Sequence, residues 1–229
     1  MTPYYDHAGI TLYHADSRQL LPELSGPVAL VLTDPPYGIA LANHDATGQH
    51  RRPADWTIAG DGNQQLGSEI LAFAQAKGWP TIAFASPRMP WPGEWKQFLV
   101  WNKGGHVGGG GDPSTCWKPT WELIQVTRTG KLNGKRDGAV LRYPADKRDY
   151  HFHPTPKPVA LMAYLIGKAT QPGELVLDPF AGAVSTLLAA REMGRKAIGV
   201  EIDERHCETT VRRLAQELIP FPAEVPSAA

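Results

Sequence analysis

Cysteine is nearly absent from this 229-residue chain: there are two, Cys116 and Cys207, far apart and without a second Cys or His at metal-finger spacing. That excludes a disulfide framework and a zinc finger as sources of stability, and no metal site is expected. Charge imbalance is missing too, since 23 Lys and Arg stand against 23 Asp and Glu. No overall field therefore draws the chain toward a polyanion or a membrane surface. No apolar run approaches the roughly eighteen residues of a membrane span, and the opening MTPYYDHAGI lacks the basic-then-apolar layout of a signal peptide. The expectation is a soluble cytoplasmic protein. Also lacking is the G-x-G-x-x-G turn of dinucleotide enzymes, and the glycines of GGHVGGGGD have no Lys-Ser/Thr after them to complete a P-loop. They read as a connection.

What is present is a core-forming composition, 42% hydrophobic, ample for one domain. Strand and helix signals alternate, which predicts an α/β fold, a Rossmann-like doubly wound and mostly parallel sheet with an antiparallel strand. Strands are expected at ITLYHAD, VALVLTD, TIAFASP, FLVWNK, WELIQVTR, ELVLD and KAIGVEID. Helices are expected at SRQLLPEL, SEILAFAQAKG, PKPVALMAYLIGKA with Pro158 in the first turn, TLLAAREMG and ERHCETTVRRLAQEL. Residues 39–66 are polar, aperiodic and too long for an ordinary connection, and read as a mobile lid. From Arg128 to Asp149 seven basic residues (Arg128, Lys131, Lys135, Arg136, Arg142, Lys147, Arg148) face three acids (Asp137, Asp146, Asp149), a modest basic patch. One domain over 1–218 and a frayed tail at 219–229 complete the outline.

Two stretches carry chemistry. ELVLD ends in Asp178 and runs through PFAG into a helix whose free N–H groups can face a polar ligand. KAIGVEID ends in Glu201, where an acid at the end of the next strand is placed to accept from ribose hydroxyls. This half reads as a nucleoside-cofactor site, and S-adenosylmethionine fits better than NAD because no pyrophosphate cradle is evident. The second stretch is TDPPYG. Asp34 ends a buried strand, a costly place for an acid unless a ligand or partner satisfies it. Pro35 and Pro36 remove two N–H donors and leave carbonyl acceptors, while Tyr37 offers a flat face for stacking. Such a cluster of acceptors suits an amino group on an aromatic ring.

Taken together, TDPPYG, HPTPKP and VLDPFAGAVSTLLAA...KAIGVEID resemble the S-adenosylmethionine-dependent DNA amino-methyltransferases that modify adenine N6 or cytosine N4. The order, with DPPY first and the DPFAG loop last, resembles their permuted beta class, over roughly residues 10 to 215. The resemblance assigns Asp34, Pro35, Pro36 and Tyr37 to the target base. It assigns Asp178, Phe180 and Gly182 to the methionine side of the cofactor, Glu201 to its ribose, and Asp16 to the neighbourhood of its adenine. In the H-x-T-x-K-P segment it makes Thr155 and Lys157 cofactor contacts; metal binding by His151 and His153 is the lesser alternative. Trp101, Lys103 and Glu122 match later strand-end motifs, with a structural role as open as a substrate role.

The implied activity is methylation of adenine N6 in duplex DNA, because the Asp form of the tetrapeptide resembles the adenine enzymes more often. The alternatives are cytosine N4, an RNA or protein amide, and an inactive DNA-binding relative. The stretch 128–150 is the expected target-recognition insert, implying a short target site, with Arg51 and Arg52 as further phosphate contacts. Partners left open are a second copy of the chain and a separate restriction endonuclease. One residue departs from the pattern: Val184 stands where relatives carry a second glycine. A branched side chain is expected to resist a positive φ and to hold the backbone off a ligand, which puts cofactor affinity in doubt.

Overall fold

A computed structural model describes residues 1–38, 62–104, 117, 119–127, 133–145, 156–182 and 184–215. Nine strands form one sheet: β1 (Tyr5–His7), β2 (Ile10–His14), β3 (Leu30–Thr33), β4 (Thr81–Ala85), β5 (Gln97–Asn102), β6 (Trp121–Val126), β7 (Val140–Arg142), β8 (Leu175–Asp178) and β9 (Lys196–Glu201). Among the described residues five helices cover it: α1 (Ser17–Leu20), α2 (Gln65–Ala76), α3 (Val159–Ala169), α4 (Ser185–Glu192) and α5 (Glu204–Ala215). A short 3-10 turn, Leu21–Glu23, follows α1.

The sheet order is β1-β2-β9-β8-β3-β4-β6-β5-β7. Strands β2, β9, β8, β3 and β4 run parallel, while β6 runs against both β4 and β5, and β1 against β2. The expected doubly wound architecture is therefore present, with two reversed strands where one was expected. Its reason lies in side-chain alternation. Leu30 and Leu32 of β3 are buried in one core with Leu161 and Leu165 of α3 and Leu187 of α4. Val31 between them joins Leu20, Leu21, Ile70 and Ala74 of the α1 and α2 side. A strand covered on both faces must be apolar at every position, as VALVL is.

Strand order reverses between β3 and β8. From β3 the chain moves outward to β4, and from β8 it moves the other way to β9. The carboxyl ends of these two strands thus flank the crevice where a parallel sheet of this kind binds ligands. Two glycines bring the covering helices close to it. A Cβ on Gly67 of α2 would stand 2.6 Å from the Trp91 ring and 3.0 Å from Pro35, and one on Gly199 of β9 would stand 2.8 Å from Leu187. Neither position has room for a side chain.

Several boundaries differ from expectation. Helix α2 begins at Gln65, so the end of the 39–66 stretch is helical, while 39–61 lies outside the described residues. Pro158 is the N-cap of α3 and precedes its first turn. Strands β1 and β7 were not expected; each has three residues, too few to show a period. The β1–β2 turn is Ala8-Gly9, both at positive φ (51° and 77°), a hairpin geometry whose usual signal is Asn-Gly or Asp-Gly. Among the described residues no helix is long and apolar enough to cross a membrane.

Candidate active site

Asp34 follows directly on β3, and its side chain retains 21% exposure, enough for a ligand to reach it. One carboxylate oxygen accepts from the Tyr37 hydroxyl at 2.7 Å and the other from the Lys157 ammonium. Glu122, in register with Trp101 on the neighbouring strand, extends the arrangement. Its Oε2 accepts from Tyr37 at 3.2 Å and lies 3.3 Å from Lys157 Nζ, while its Oε1 pairs with Lys103. Among the described residues, two carboxylates and two ammonium groups thus form one network whose charges balance. The Lys157 ammonium is 4% exposed and sits 5.8, 5.1 and 5.9 Å from the rings of Tyr37, Phe84 and Trp101, an aromatic surround that favours a cation.

Burial pushes the Asp34 carboxyl above its usual range; Lys157 opposes this and Glu122 adds to it. For Lys157, burial works against the charge, yet Asp34 and Glu122 outweigh it and hold the ammonium above its ordinary pKa. Glu122 also loses hydration on burial, but Lys157 and Lys103 prevail and its pKa falls below the usual value. Asp34 is accordingly the member best able to take up a proton, whereas Glu122 stays charged.

Across the switch point, Asp178 ends β8. Its Oδ1 accepts from the Thr33 hydroxyl at 2.8 Å and from the Phe180 N–H at 3.1 Å. Thr33 immediately precedes Asp34, so this bond ties together strand ends 145 residues apart in the chain. Burial raises the Asp178 carboxyl to about 6, against hydrogen bonds from Thr186 and Thr33 that lower it. Glu201, at the end of β9, accepts from the Gly182 N–H at 2.9 Å and from the Asp203 N–H at 2.8 Å. Asp16 caps α1, accepting from the Arg18 N–H and pairing with its guanidinium, which lowers its pKa. It lies beside Glu201, because Ala15 N–H donates to the Glu201 carbonyl, and the Ser17 hydroxyl donates to the Pro179 carbonyl.

Asp16, Asp178, Phe180, Gly182 and Glu201 thus share one stretch of the carboxyl edge, adjoining Asp34, Pro35, Pro36 and Tyr37. Lys157, expected among the cofactor residues, stands on the Asp34 side. Thr155, His151, His153, Arg51 and Arg52 lie outside the described residues. Val184 does take a left-handed conformation (φ 63°, ψ −1°) as the N-cap of α4, and its side chain is fully buried in the core beside Leu187 and Leu188. The expectation that a branched residue would resist this conformation fails because core packing holds the side chain there. Thr33 and Thr186 were not singled out in the sequence; the available signal was a hydroxyl next to Asp34 at the end of an otherwise apolar strand. A cavity of about 690 Å³ opens at the opposite edge of the sheet, by Ala29, Pro80 and Thr170, and none of the residues named for the site lines it.

Known proteins resemble this chain in sequence and in fold. A DNA adenine methyltransferase of Escherichia coli (strain K12), YhdJ, is 45% identical over 74 residues, which is 32% of this chain and 24% of that protein. The matched segment therefore spans about a quarter of that relative's length. The crystal structure of an M1.HpyAVI–SAM complex superposes with a TM-score of 0.64 at 22% identity, covering 90% of this chain and 100% of that one. The PvuII DNA methyltransferase, described as cytosine-N4-specific, superposes with a TM-score of 0.67 at 17% identity, covering 95% and 90%. At these identities the two structures bear on the fold. The family comparison goes further, matching residues 87–212, from just after β4 into α5, more than half of the sequence: the chain belongs to the N6/N4 DNA methylase family.

Proposed function

We propose that the protein transfers a methyl group from S-adenosylmethionine to the N6 amine of adenine in duplex DNA. The observation that carries this reading is the junction of two acidic strand ends, Asp34 and Asp178, joined through the Thr33 hydroxyl at the point where strand order reverses. Residues able to hold the cofactor are present. Glu201 is a buried acid at a strand end, Gly182 and Phe180 turn N–H groups toward the acids, and the buried Ser185 hydroxyl at the start of α4 has no hydrogen-bond partner among the described residues. An orphaned buried hydroxyl at the start of a helix beside these acids is a natural partner for a polar ligand.

When bound, the cofactor would supply an electrophilic methyl group on a sulfonium, whose C–S bond breaks as the new N–C bond forms and leaves a neutral thioether. The chain's own part concerns the amine. An exocyclic amine is a weak nucleophile because its lone pair is delocalised into the ring. Asp34 and the Pro35 carbonyl, accepting its two N–H bonds, would let the nitrogen pyramidalise and direct the lone pair outward. As the N–C bond forms, the nitrogen must lose one proton, and Asp34, with its raised pKa, is the acceptor at hand. The rest is positioning, which can lower a barrier by about 7 to 11 kcal/mol. Reaching the base requires flipping it from the duplex at a cost of a few kcal/mol, offset in part by the Tyr37 ring. The stretch 128–150, which contributes β7, is the segment we assign to reading the target sequence.

Adenine is favoured over cytosine by the Asp form of the tetrapeptide, and the adenine enzyme among the relatives supports that choice. Incubation with labelled S-adenosylmethionine and unmethylated duplex DNA, followed by digestion and nucleoside mass spectrometry, should yield N6-methyladenine. N4-methylcytosine would move the assignment to the other base, and label confined to RNA or protein would overturn it.

A further inference from the structure

Both oxygens of Asp34 are engaged by protein donors, Tyr37 on one and Lys157 on the other. A target amine that is to donate to Asp34 must therefore share or displace one of them. Both have Glu122 Oε2 as an alternative, Tyr37 at 3.2 Å, but Lys157 is the one whose charge requires it. Its ammonium already lies 3.3 Å from Glu122 Oε2, and the ring faces of Phe84 and Trp101 stand at 5.1 and 5.9 Å. A buried ammonium that lost its only carboxylate would be strongly disfavoured. With Glu122 present, it loses one of two.

We propose that Glu122 is a positioning residue for the reacting centre: it is the second anchor of Lys157, and so lets Lys157 yield its place on Asp34 to the target amine without leaving a buried cation unpaired. This rests on the methyl-transfer reading above. On this view Lys157 stands in for the amine on Asp34, and Lys103, paired with the other oxygen of Glu122, keeps that carboxylate oriented. Removing Glu122 binds Lys157 to Asp34 alone, so the amine has to compete with a charge that has nowhere else to go.

Among the described residues, the charged and titratable groups acting on Asp34 are Lys157, Glu122 and Tyr37, with Asp178 across the switch point and Lys103 beyond Glu122. Glu122 raises the Asp34 pKa and Lys157 lowers it. The two residues therefore have opposite signatures. In Glu122→Gln the acid limb of the pH–rate profile should move to lower pH, and in Lys157→Met to higher pH. A merely structural role would lower activity without moving that limb in opposite directions.

The experiment measures methyl transfer from labelled S-adenosylmethionine to unmethylated bacterial genomic DNA across pH 5 to 9 for wild type, Glu122→Gln, Lys157→Met and the double variant, with thermal unfolding of each. Glu122→Gln is expected to lose roughly 10- to 150-fold in kcat/KM for DNA, the worth of a hydrogen bond to a charged group. Its cofactor affinity should stay within about threefold, because the change touches the Asp34 side only. The double variant should be more active than Glu122→Gln alone, since removing Lys157 frees Asp34. Should Glu122→Gln fold poorly, Glu122→Asp keeps the carboxylate and should recover part of the rate. Additive losses in the double variant, or acid limbs that coincide with that of wild type, would overturn the assignment of Glu122 while leaving methyl transfer intact. A folded wild type that transfers no label to DNA would overturn the functional reading itself.

Discussion

Asp178 sits at 4% exposure with its carboxyl pushed up to about 6, so replacing it with Asn should stabilise the protein at neutral pH while damaging the cofactor side of the site. A carboxyl whose folded pKa exceeds its unfolded value of 3.8 binds a proton more readily in the fold. Its penalty is absent well below pH 3.8 and complete above pH 6. A rise of about two pKa units corresponds to about 3 kcal/mol of lost stability at pH 7.5, falling to about 1 kcal/mol at pH 4.5. Asn keeps an acceptor for Thr33 and the Phe180 N–H but brings an amide needing its own partner, which offsets about 1 to 2 kcal/mol. The net gain for Asp178→Asn is then about 1 to 2 kcal/mol at pH 7.5, a rise of about 2 to 8 °C in Tm for a chain of this size. Thermal unfolding of both proteins at pH 7.5, 6 and 4.5 tests this, and the advantage should vanish by pH 4.5. A variant that melts at or below wild type at pH 7.5, or whose advantage grows on acidification, would refute the argument. Calorimetry should show S-adenosylmethionine binding weakened about tenfold or more.

Thr33→Val removes the hydroxyl donor to that same carboxylate and should cost about 1 to 3 kcal/mol at neutral pH, read by urea unfolding; an unchanged midpoint would mean the Thr33–Asp178 bond contributes nothing. Val184→Gly sets the loss of a fully buried side chain, about 1.5 to 3 kcal/mol, against relief of a left-handed conformation worth about 1 to 2 kcal/mol. The expected result is a Tm lowered by a few degrees with cofactor affinity within about threefold of wild type, because the side chain points into the core; a tenfold gain in affinity would show that Val184 obstructs the ligand. Asp34→Ala should abolish methyl transfer yet retain cofactor binding, and loss of both would mean the two sides of the site are exchanged.

The long, doubly covered strands were legible because a strand buried on both faces must be apolar throughout, as in VALVL and TIAFA. The acids Asp34, Asp178 and Glu201 were legible because each interrupts or ends such a run. The partnership of Lys157 with Asp34 and Glu122 was not. It depends on β6 lying antiparallel beside β5 with Trp101 opposite Glu122, and on the start of α3 packing over β3, neither of which leaves a periodic trace. Sequence reasoning placed Lys157 by its motif with the cofactor, whereas its neighbours in space are set by strand order. Val184 shows the converse: local preference argued against a positive φ, and a buried methyl pair in the core decided the matter.

The single hydroxyl–carboxylate contact between Thr33 and Asp178 spans 145 residues of chain, and it separates chemistry from chain length. On the proposed reading the seats for base and donor lie at the ends of two adjacent strands, β3 and β8. A change of length that leaves β3 and β8 paired would then leave unaltered the distance over which a methyl group has to pass. Reaction geometry would in that sense follow from strand pairing and not from chain length.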